Sequence, residues 1–346
     1  AEDRQQWLDI TWRQSATTVA RMQAALAKES LYPGDRVAIM LRNCPQWVQF
    51  EQAALGLGLV VVPLYTNDRT DNISYVLQDA GVKVLLIEGA EQLQELESIS
   101  SQMEGLVRLL SIKPCKEYNR FTNLMTVTEW LDNIPAEVDV SHLQAKDGLS
   151  DDLATIVYTS GTTGRPKGVM LSHWNILTNA YAGGIKALPA YKEDTFLSFL
   201  PLSHSLERTC GYYIPMMAGS TVAFARSVQD LAEDLLTIRP TVLISVPRIY
   251  ERIYNKITLQ LEQKSPFARN LFLKAVDVGW QRFKNPKQSH LAWPLLKTLV
   301  AKKVMAKLGG RLRLAVCGGA PLSPSVAKTF IGLGLNLIQG YGLTET

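Results

Sequence analysis

One stretch of the chain, residues 158–168, reads Tyr158-Thr159-Ser160-Gly161-Thr162-Thr163-Gly164-Arg165-Pro166-Lys167-Gly168. It follows an apolar run, residues 154–157, that is typical of a buried strand. Glycines let backbone amides approach an anion, hydroxyls donate hydrogen bonds to it, and the lysine neutralises its charge. We therefore interpret the stretch as a phosphate cradle with a nucleoside triphosphate as its natural ligand.

This loop differs from the P-loop found in many NTPases. Counting from Gly161, the position where that motif requires glycine is Pro166, and Lys167 is followed by Gly168 in place of Ser or Thr. Gly, Ser and Thr also cluster in ordinary tight loops. The strand before the loop and the Pro-Lys-Gly after it favour a binding loop.

Short apolar runs alternate with longer helical patterns on both sides of the loop. The runs that read as strands are 37–40, 60–62, 82–87, 155–158, 195–199, 221–224, 241–246, 312–316 and 336–338. Many are apolar on both faces, which is typical of parallel sheets covered by helices. We predict an α/β fold with more than one doubly wound sheet, and a surface excursion over the less regular residues 110–150.

Composition narrows the class of protein. A chain of 346 residues allows two to three domains, and 47% hydrophobic against 20% charged residues excludes a disordered or collagen-like protein. The four cysteines match neither a zinc spacing nor a disulfide framework. The longest apolar run, 53–65, is too short and too interrupted by Gly and Pro to cross a bilayer, and the N-terminus shows no signal pattern. We expect a reduced, cytoplasmic setting.

The net charge of +4 conceals an uneven distribution. Residues 264–313 carry 12 basic residues and one acidic residue, so this segment is +11 and the rest of the chain −7. Apolar residues fall near helical spacing at Leu291, Leu295, Leu296, Leu299, Val300, Val304 and Leu308, with Lys297, Lys302, Lys303 and Lys307 between them. Three interpretations stay open: peripheral contact with the anionic inner face of a membrane, docking of an acidic carrier protein, or a solvated face packed by its Leu and Val stripe. No nucleic-acid module accompanies the charge.

The sequence contains two further motifs in addition to the loop. They are Pro201-Leu202-Ser203-His204-Ser205-Leu206-Glu207-Arg208 and Gln339-Gly340-Tyr341-Gly342-Leu343-Thr344-Glu345-Thr346. With residues 158–168, they resemble the adenylate-forming superfamily of acyl-CoA synthetases, luciferases and peptide-synthetase adenylation domains. Residues 239–248, 308–313 and 318–323 resemble most the long-chain fatty acid ligases of that superfamily, and the likeness extends to residues 32–39.

The resemblance implies the N-terminal part of such an enzyme. It implies one α/β subdomain over 36–190, containing the phosphate loop, and a second over 1–35 and 191–346, both doubly wound. The β-barrel and the C-terminal cap are expected to be largely absent, since the family's Thr-Gly-Asp motif does not occur here. These residues alone are therefore not expected to complete the full reaction.

The resemblance also implies roles for individual residues. The β- and γ-phosphates are assigned to Thr159, Ser160, Gly161, Thr162, Thr163, Gly164 and Lys167. Glu345 is expected to bind Mg²⁺, with Thr344 close to the phosphates. Tyr341, between Gly340 and Gly342, offers a face for the adenine, although a tyrosine after a strand is often only core. The opposite wall of the adenine site is assigned to Gly318, Gly319, Ala320 and Pro321.

His204 is expected, by resemblance, to lie beside the reacting carboxylate and to gate the acyl pocket; on the residues alone a satisfied loop histidine is the competing interpretation. Some bacterial long-chain enzymes carry a gate tryptophan four positions after this histidine, and Arg208 stands there instead. The tryptophan-gate mechanism is therefore not transferred. His-x-x-Glu-Arg is closer to the eukaryotic-like branch.

The expected activity is that of an AMP-forming long-chain fatty acid–CoA ligase using ATP, Mg²⁺ and CoA. A carboxylate attacks ATP to give acyl-adenylate and pyrophosphate, and a thiol then displaces AMP. One alternative is an acyl-acyl carrier protein synthetase, which uses a carrier protein's thiol as acceptor. Another is a non-catalytic paralogue that only binds nucleotide or fatty acid.

Overall fold

The computed structural model describes residues 7–115, 121–136, 138, 140–143, 148–159 and 164–345. They form two compact units that divide after Ile176. Each unit is built on its own sheet, of seven strands in the first and five in the second. The predicted α/β class with two sheets is confirmed. Among the described residues, no helix has both the length and the hydropathy needed to cross a bilayer.

The first unit contains a seven-stranded sheet. Its strands are β1 (Arg36–Met40), β2 (Val60–Pro63), β3 (Val82–Ile87), β4 (Arg108–Ser111), β5 (Leu124–Thr126), β6 (Leu153–Thr159) and β7 (Lys167–Ser172). Their order is β5-β4-β3-β1-β2-β6-β7, and only the β6–β7 pair is antiparallel. The direction of winding reverses at β1, as expected of a doubly wound sheet.

Helices follow most of these strands. They are α1 (Trp12–Leu26), α2 (Pro45–Gly56), α3 (Thr70–Asp79), α4 (Ala90–Leu96), α5 (Val127–Leu131) and α6 (His173–Tyr181), with 3-10 turns at Glu97–Met103 and Val140–His142. Local sequence explains several helix starts. Thr11 with Gln14 and Thr126 with Glu129 form capping boxes, and Pro45 occupies the first turn of α2.

The N-terminal segment belongs to the first unit, so the prediction that joined residues 1–35 to the second is wrong for its described part. The side-chain amide of Gln49 on α2 donates to Ser15 Oγ on α1 at 3.3 Å. Arg21 donates to the carbonyls of Leu131 and Pro135, each at 3.1 Å. The predicted boundary at 190 also differs from the observed division after Ile176. An amphipathic pattern shows that α1 buries one face, but not against which partner.

Residues 110–150 were expected to form a surface excursion, and part of that prediction is wrong. β5 extends the sheet beside β4, and Val127, Trp130 and Leu131 of α5 are buried. Trp130 donates from Nε1 to Glu29 Oε1 at 2.9 Å, and Arg108 bonds the same carboxylate. Three-residue strands are too short for a periodic pattern to show.

The second unit contains five parallel strands, β8 (Thr195–Ser198), β9 (Thr221–Phe224), β10 (Val242–Ser245), β11 (Leu314–Cys317) and β12 (Leu337–Gln339). Their order is β12-β11-β10-β8-β9. The helices are α7 (Ser205–Glu207), α8 (Ile214–Ala218), α9 (Leu231–Ile238), α10 (Pro247–Glu262), α11 (Pro266–Lys284), α12 (Trp293–Leu296), α13 (Lys302–Ala306) and α14 (Pro324–Gly332). π-helical segments occur at Ala182–Ala187, Arg208–Tyr213 and Lys297–Ala301.

Asp194 ties the amino ends of three strands together in the second unit. Its carboxylate is almost fully buried and pairs with Arg313, next to β11, while Thr241 Oγ1, next to β10, donates to it at 2.7 Å. Burial alone would raise the pKa of Asp194, but these bonds outweigh it and hold the pKa below its usual value. The ion pair therefore stabilises the end of the sheet opposite the predicted site residues.

Candidate functional site

The carboxyl ends of the second sheet carry most of the site residues predicted for that unit. Because the five strands are parallel, their carboxyl ends lie at one edge, where open α/β sheets bind ligands. The chain leaves β8 toward residues 201–208, β11 toward 318–321, and β12 toward 340–344. We call these three segments the strand-end cluster.

Backbone hydrogen bonds hold the cluster in register. Gly318 N donates to Ser245 O at 3.0 Å, and Gly340 N donates to Cys317 O at 2.9 Å. The side chain of Gln339 accepts from Leu322 N at 3.1 Å, which closes residues 318–321 against the end of β12. Gly319 has φ of +80°, a backbone conformation that a side chain would strain. Gly319, Ala320 and Pro321 are exposed, so this wall faces solvent.

The 201–208 segment contacts both other parts of the cluster. Ser205 Oγ lies 3.3 Å from Thr344 Oγ1. A side chain at Gly318 would place its Cβ 3.0 Å from Leu206 Cδ2. The structure therefore brings the His204 segment close to Gly318 and to Thr344.

His204 begins the short helix α7. Its Nδ1 accepts a hydrogen bond from Leu206 N at 3.1 Å, which places the proton of the neutral ring on Nε2. Partial desolvation lowers the pKa of His204 below its usual value. The ring is therefore neutral near pH 7, with Nε2–H as its donor.

Glu207 is a buried acid of the 201–208 segment to which the sequence analysis assigned no role. Its side chain is buried, and Ser198 Oγ, at the end of β8, donates to its Oε1 at 2.6 Å. Burial raises the pKa of Glu207 to about 8, so the carboxyl is mostly protonated at neutral pH. Its Oε2 has no hydrogen-bond partner among the described residues. Glu207 thus fastens the His204 segment to the sheet.

An apolar cavity of about 50 Å³ lies against the same sheet. Phe196, Val242, Ile244, Leu314 and Val316 line it from β8, β10 and β11. Cys210 and Ile214, a few residues after Glu207, line the other side. Arg313 also lines the cavity, and its other lining side chains are apolar, as contact with part of an alkyl chain requires.

Tyr341 is 93% exposed, so the interpretation of this ring as core does not hold. Gly340 and Gly342 beside it are exposed as well. A flat, solvent-facing ring at the carboxyl edge of a parallel sheet offers a surface on which a base can stack.

The phosphate loop lies in the first unit, where β6 and β7 form its two arms. Thr159 pairs with Lys167 across the antiparallel register, so the two residues close the base of the loop. Lys167 is exposed, and Gly164 has φ of +97°. Ser160, Gly161, Thr162 and Thr163 lie outside the described residues.

Aromatic residues support the base of the loop, a feature that sequence reasoning did not identify. Tyr158 Oη donates to Asp79 Oδ2 of α3 at 2.6 Å, and burial with this bond raises the pKa of Tyr158. The Tyr75 ring meets Tyr158 edge-on at 6.4 Å, and the Arg165 guanidinium lies 5.4 Å from the centre of the Tyr75 ring. A Cβ on Gly168 would lie 2.8 Å from Ile156 Cγ2, so only glycine fits there without displacement.

The donor set near the end of the described chain fits a magnesium ion. Glu345 is exposed and offers a carboxylate, and Thr344 beside it offers a hydroxyl. Mg²⁺ in nucleotide sites is held by one or two carboxylates together with substrate phosphates and waters. Among the described residues no three His, Cys, Asp or Glu side chains cluster as a metal site.

Known proteins match this chain over nearly its whole length. The profile of the AMP-binding enzyme family matches residues 3–346. Long chain acyl-CoA synthetase 6, peroxisomal, of Arabidopsis thaliana is 32% identical over 97% of this chain and 48% of its own length. Fatty acyl-CoA synthetase A of Dictyostelium discoideum is 30% identical over 97% of this chain and 50% of its own. The chain thus spans about half the length of these curated relatives.

Solved structures share the fold. The A-PCP didomain of the carboxylic acid reductase from Segniliparus rugosus, in complex with AMP, has a TM-score of 0.74 and 25% identity, covering 97% of this chain and 46% of that one. The N-terminal domain of FACL13 from Mycobacterium tuberculosis has a TM-score of 0.71 and 22% identity, covering 98% and 70%. The second likeness is one of fold alone. Because the family profile runs from residue 3 to residue 346 and relatives about 30% identical follow nearly the whole chain, this chain belongs to the AMP-binding enzyme family.

Proposed function

We propose that the protein is part of an AMP-forming ligase that activates a long-chain fatty acid with ATP and passes the acyl group to CoA. The observation that carries this proposal is the strand-end cluster, in which His204 and Tyr341 lie on loops of one sheet edge and an apolar cavity lies against the same sheet. The relative from Arabidopsis thaliana is named a long chain acyl-CoA synthetase and the one from Dictyostelium discoideum a fatty acyl-CoA synthetase, which supports the choice of acid.

In the first step, a carboxylate oxygen of the acid attacks the α-phosphorus of ATP. The bond from that phosphorus to the bridging oxygen breaks, and pyrophosphate leaves with its electron pair. The protein has to align two anions and offset their repulsion, which requires fixed donors and positive charge but no covalent nucleophile. In the first unit, Thr159, Gly164 and Lys167, with residues 160–163, would hold the β- and γ-phosphates. When bound, Mg²⁺ at Glu345 and Thr344 supplies further positive charge to the phosphates.

The second unit would hold the adenine and the acid. We assign the adenine to the exposed face of Tyr341, with residues 318–321 as the opposite wall and Gly340 and Gly342 leaving room for the base. His204 would donate from Nε2 to the carboxylate, because its Nδ1 is already engaged by Leu206 N. The acyl chain would enter the apolar cavity that Phe196, Cys210 and Ile214 line.

In the second step, a thiolate sulfur attacks the acyl carbon, and the bond from that carbon to the AMP oxygen breaks. CoA is the proposed acceptor. Because the chain spans about half the length of its relatives, we propose that these 346 residues alone do not complete thioester formation. A thioester assay on this chain should give no product above background, and robust turnover would contradict the statement.

The test of the proposed function uses the full-length gene product. Pyrophosphate release is measured across straight-chain acids from acetate to long-chain acids, with CoA and acyl carrier protein as alternative acceptors. We expect ATP- and acid-dependent release that is fastest with long-chain acids, and thioester formed with CoA. Nucleotide binding without pyrophosphate release would identify a non-catalytic paralogue, and transfer to the carrier protein alone would identify the other acceptor.

A further inference from the structure

Helices α11 to α13 of the second unit expose large apolar side chains. Leu291 is 91% exposed, Phe267 78% and Leu295 64%. Leu273, Phe283 and Leu299 are exposed as well. We call the outward side of residues 264–313 the basic apolar surface. Six exposed large apolar side chains within fifty residues are more than the single exposed residues that are normal on a protein surface, so this segment is a candidate interaction surface.

These helices pack within the unit through other side chains than the exposed ones. Phe272 and Val276 of α11, Trp293 of α12 and Ala301 form a separate cluster with Leu333. α11 also approaches α14 so closely that a Cβ on Gly279 would lie 1.8 Å from the Gly332 carbonyl oxygen. The helices are therefore already anchored by their inward side. The interpretation that the Leu and Val stripe packs on the core is correct for Leu296 and Leu308, which are buried, and for Val300 and Val304, which pack against this cluster. It is wrong for Leu291, Leu295 and Leu299, which are exposed.

Leucines and lysines lie together on the outward side. Leu295 and Leu299 are four residues apart and so share a face, and Lys302 and Lys303 follow one turn later. Of the 12 basic residues in this segment, all but Arg313 are exposed. The single acidic residue, Asp277, is paired with Lys328 Nζ at 2.6 Å, so no carboxylate of this segment offsets the positive charge.

We propose that the basic apolar surface binds an anionic lipid bilayer as a peripheral contact. Leucine and phenylalanine side chains enter the boundary between headgroups and acyl chains, while lysines remain at the level of the lipid phosphates. A nucleic acid would use the lysines but leave the exposed leucines in water. An acidic protein would need a matching apolar strip, whereas a bilayer accepts any spacing of apolar side chains.

Vesicle flotation of the full chain tests the proposal. We compare neutral phosphatidylcholine vesicles with vesicles that also contain phosphatidylglycerol, at low and high salt. We expect binding to the anionic vesicles only, weakened by salt because the lysine contribution is screened. Equal binding to both lipids, or to neither, would overturn the proposal.

Two variants separate the two components of the surface. Lys297→Gln/Lys302→Gln/Lys303→Gln should weaken binding to anionic vesicles at least about tenfold, since each lysine near an anionic membrane contributes about 1 kcal/mol. Leu291→Gln/Leu295→Gln/Leu299→Gln keeps every charge and should also weaken binding at least about tenfold. Leu236→Gln/Lys192→Gln, which changes an exposed leucine and lysine elsewhere in the unit, is the matched control and should bind as the unmodified chain does.

The leucine variant also distinguishes a membrane from a soluble polyanion. Binding to heparin is measured beside vesicle binding, and circular dichroism checks that each variant remains folded. We expect the leucine variant to lose vesicle binding and retain any heparin binding. If it bound vesicles as well as the unmodified chain does, the surface would be an electrostatic patch for soluble anions and the proposal would be wrong.

Discussion

The phosphate loop of the first unit and the strand-end cluster of the second are built in different ways. The residues of the loop are contiguous in the chain, and Thr159 and Lys167 pair at the ends of the antiparallel strands β6 and β7. The cluster joins residues that are far apart in the chain, such as Ser205 and Thr344, which are separated by 139 positions. The phosphate loop is therefore formed by one contiguous motif. The strand-end cluster forms only when the five parallel strands of the second sheet have paired.

This difference predicts how each site responds to mutation. In the loop, an exposed side chain such as Lys167 can be removed without disturbing the fold, so its loss should affect only ligand binding. In the cluster, the loops depend on groups buried beneath them, as Glu207 is bonded to Ser198. Substitutions there should change stability together with function. The following predictions test that contrast, from the largest expected effect to the smallest.

Lys167→Ala should give the largest change in activity. Removing a donor that stabilises developing charge lowers kcat/KM by about 10²–10³-fold, and we expect this for ATP-dependent pyrophosphate release by the full-length protein. The free energy of unfolding should not change, because Lys167 is exposed. Lys192→Ala, an exposed lysine away from the loop, is the control. A variant that lost activity and stability together would show that the loop also depends on its lysine for folding.

Glu207→Gln tests the buried acid beneath the cluster. The pKa of Glu207 is raised from 4.5 in the unfolded chain to about 8 in the folded one. Below pH 4.5 both states are protonated, and above it the unfolded state releases the proton while the folded state keeps it. Stability should therefore fall as pH rises from about 4.5 to 8 and then level off.

The glutamine variant cannot ionise, so it should lack this loss of stability. We expect the free energy of unfolding of Glu207→Gln, relative to the unmodified protein, to increase by on the order of 3 kcal/mol between pH 5 and pH 8. Urea unfolding at a series of pH values measures the difference. Parallel pH curves for the two proteins would mean that Glu207 is already ionised in the folded state.

Sequence patterns predicted those features that depend on neighbouring residues. β6 and the alternation of strands and helices appear where expected. The three motifs also identified His204, Tyr341 and Lys167 as site candidates. Local chemistry suffices for these because strand patterning and loop composition are short-range properties.

Features that depend on distant partners could not be predicted. Nothing in residues 12–26 indicates that Arg21 bonds Leu131 and Pro135, which places α1 in the first unit. The motif His-x-x-Glu-Arg does not predict that its glutamate, Glu207, is buried and bonded to Ser198. Helical spacing of leucines at 291–299 does not reveal which side faces water, because Trp293, Leu296 and Ala301 provide a second apolar face.

His204→Ala should lower pyrophosphate release about tenfold to a hundredfold, since it removes the Nε2–H donor. His204 caps α7 through Leu206 N, so a modest loss of stability should accompany the loss of rate. His290→Ala, a histidine outside the motifs, is the matched control and should leave the rate unchanged. If the two variants behaved alike, His204 would be a satisfied loop histidine and its proposed contact with the carboxylate would be wrong.

Tyr158→Phe should have the smallest effect. It tests whether the pairing of β6 with β7 positions the base of the loop without the contact to Asp79 of α3. The substitution removes the hydroxyl that donates to Asp79 Oδ2 at 2.6 Å and leaves the ring in contact with Tyr75. A single hydrogen bond of this kind contributes about 1 kcal/mol, so the free energy of unfolding should fall by that amount. Tyr32→Phe is the control, because Tyr32 is 75% exposed and loss of its hydroxyl should change stability by less than about 0.5 kcal/mol.

A rise of a few fold in KM for ATP, at unchanged kcat, would show that α3 positions the base of the loop through Asp79. An unchanged KM would mean that the β6–β7 pairing alone holds Thr159 and Lys167 in place, which would make the contrast with the strand-end cluster sharper still.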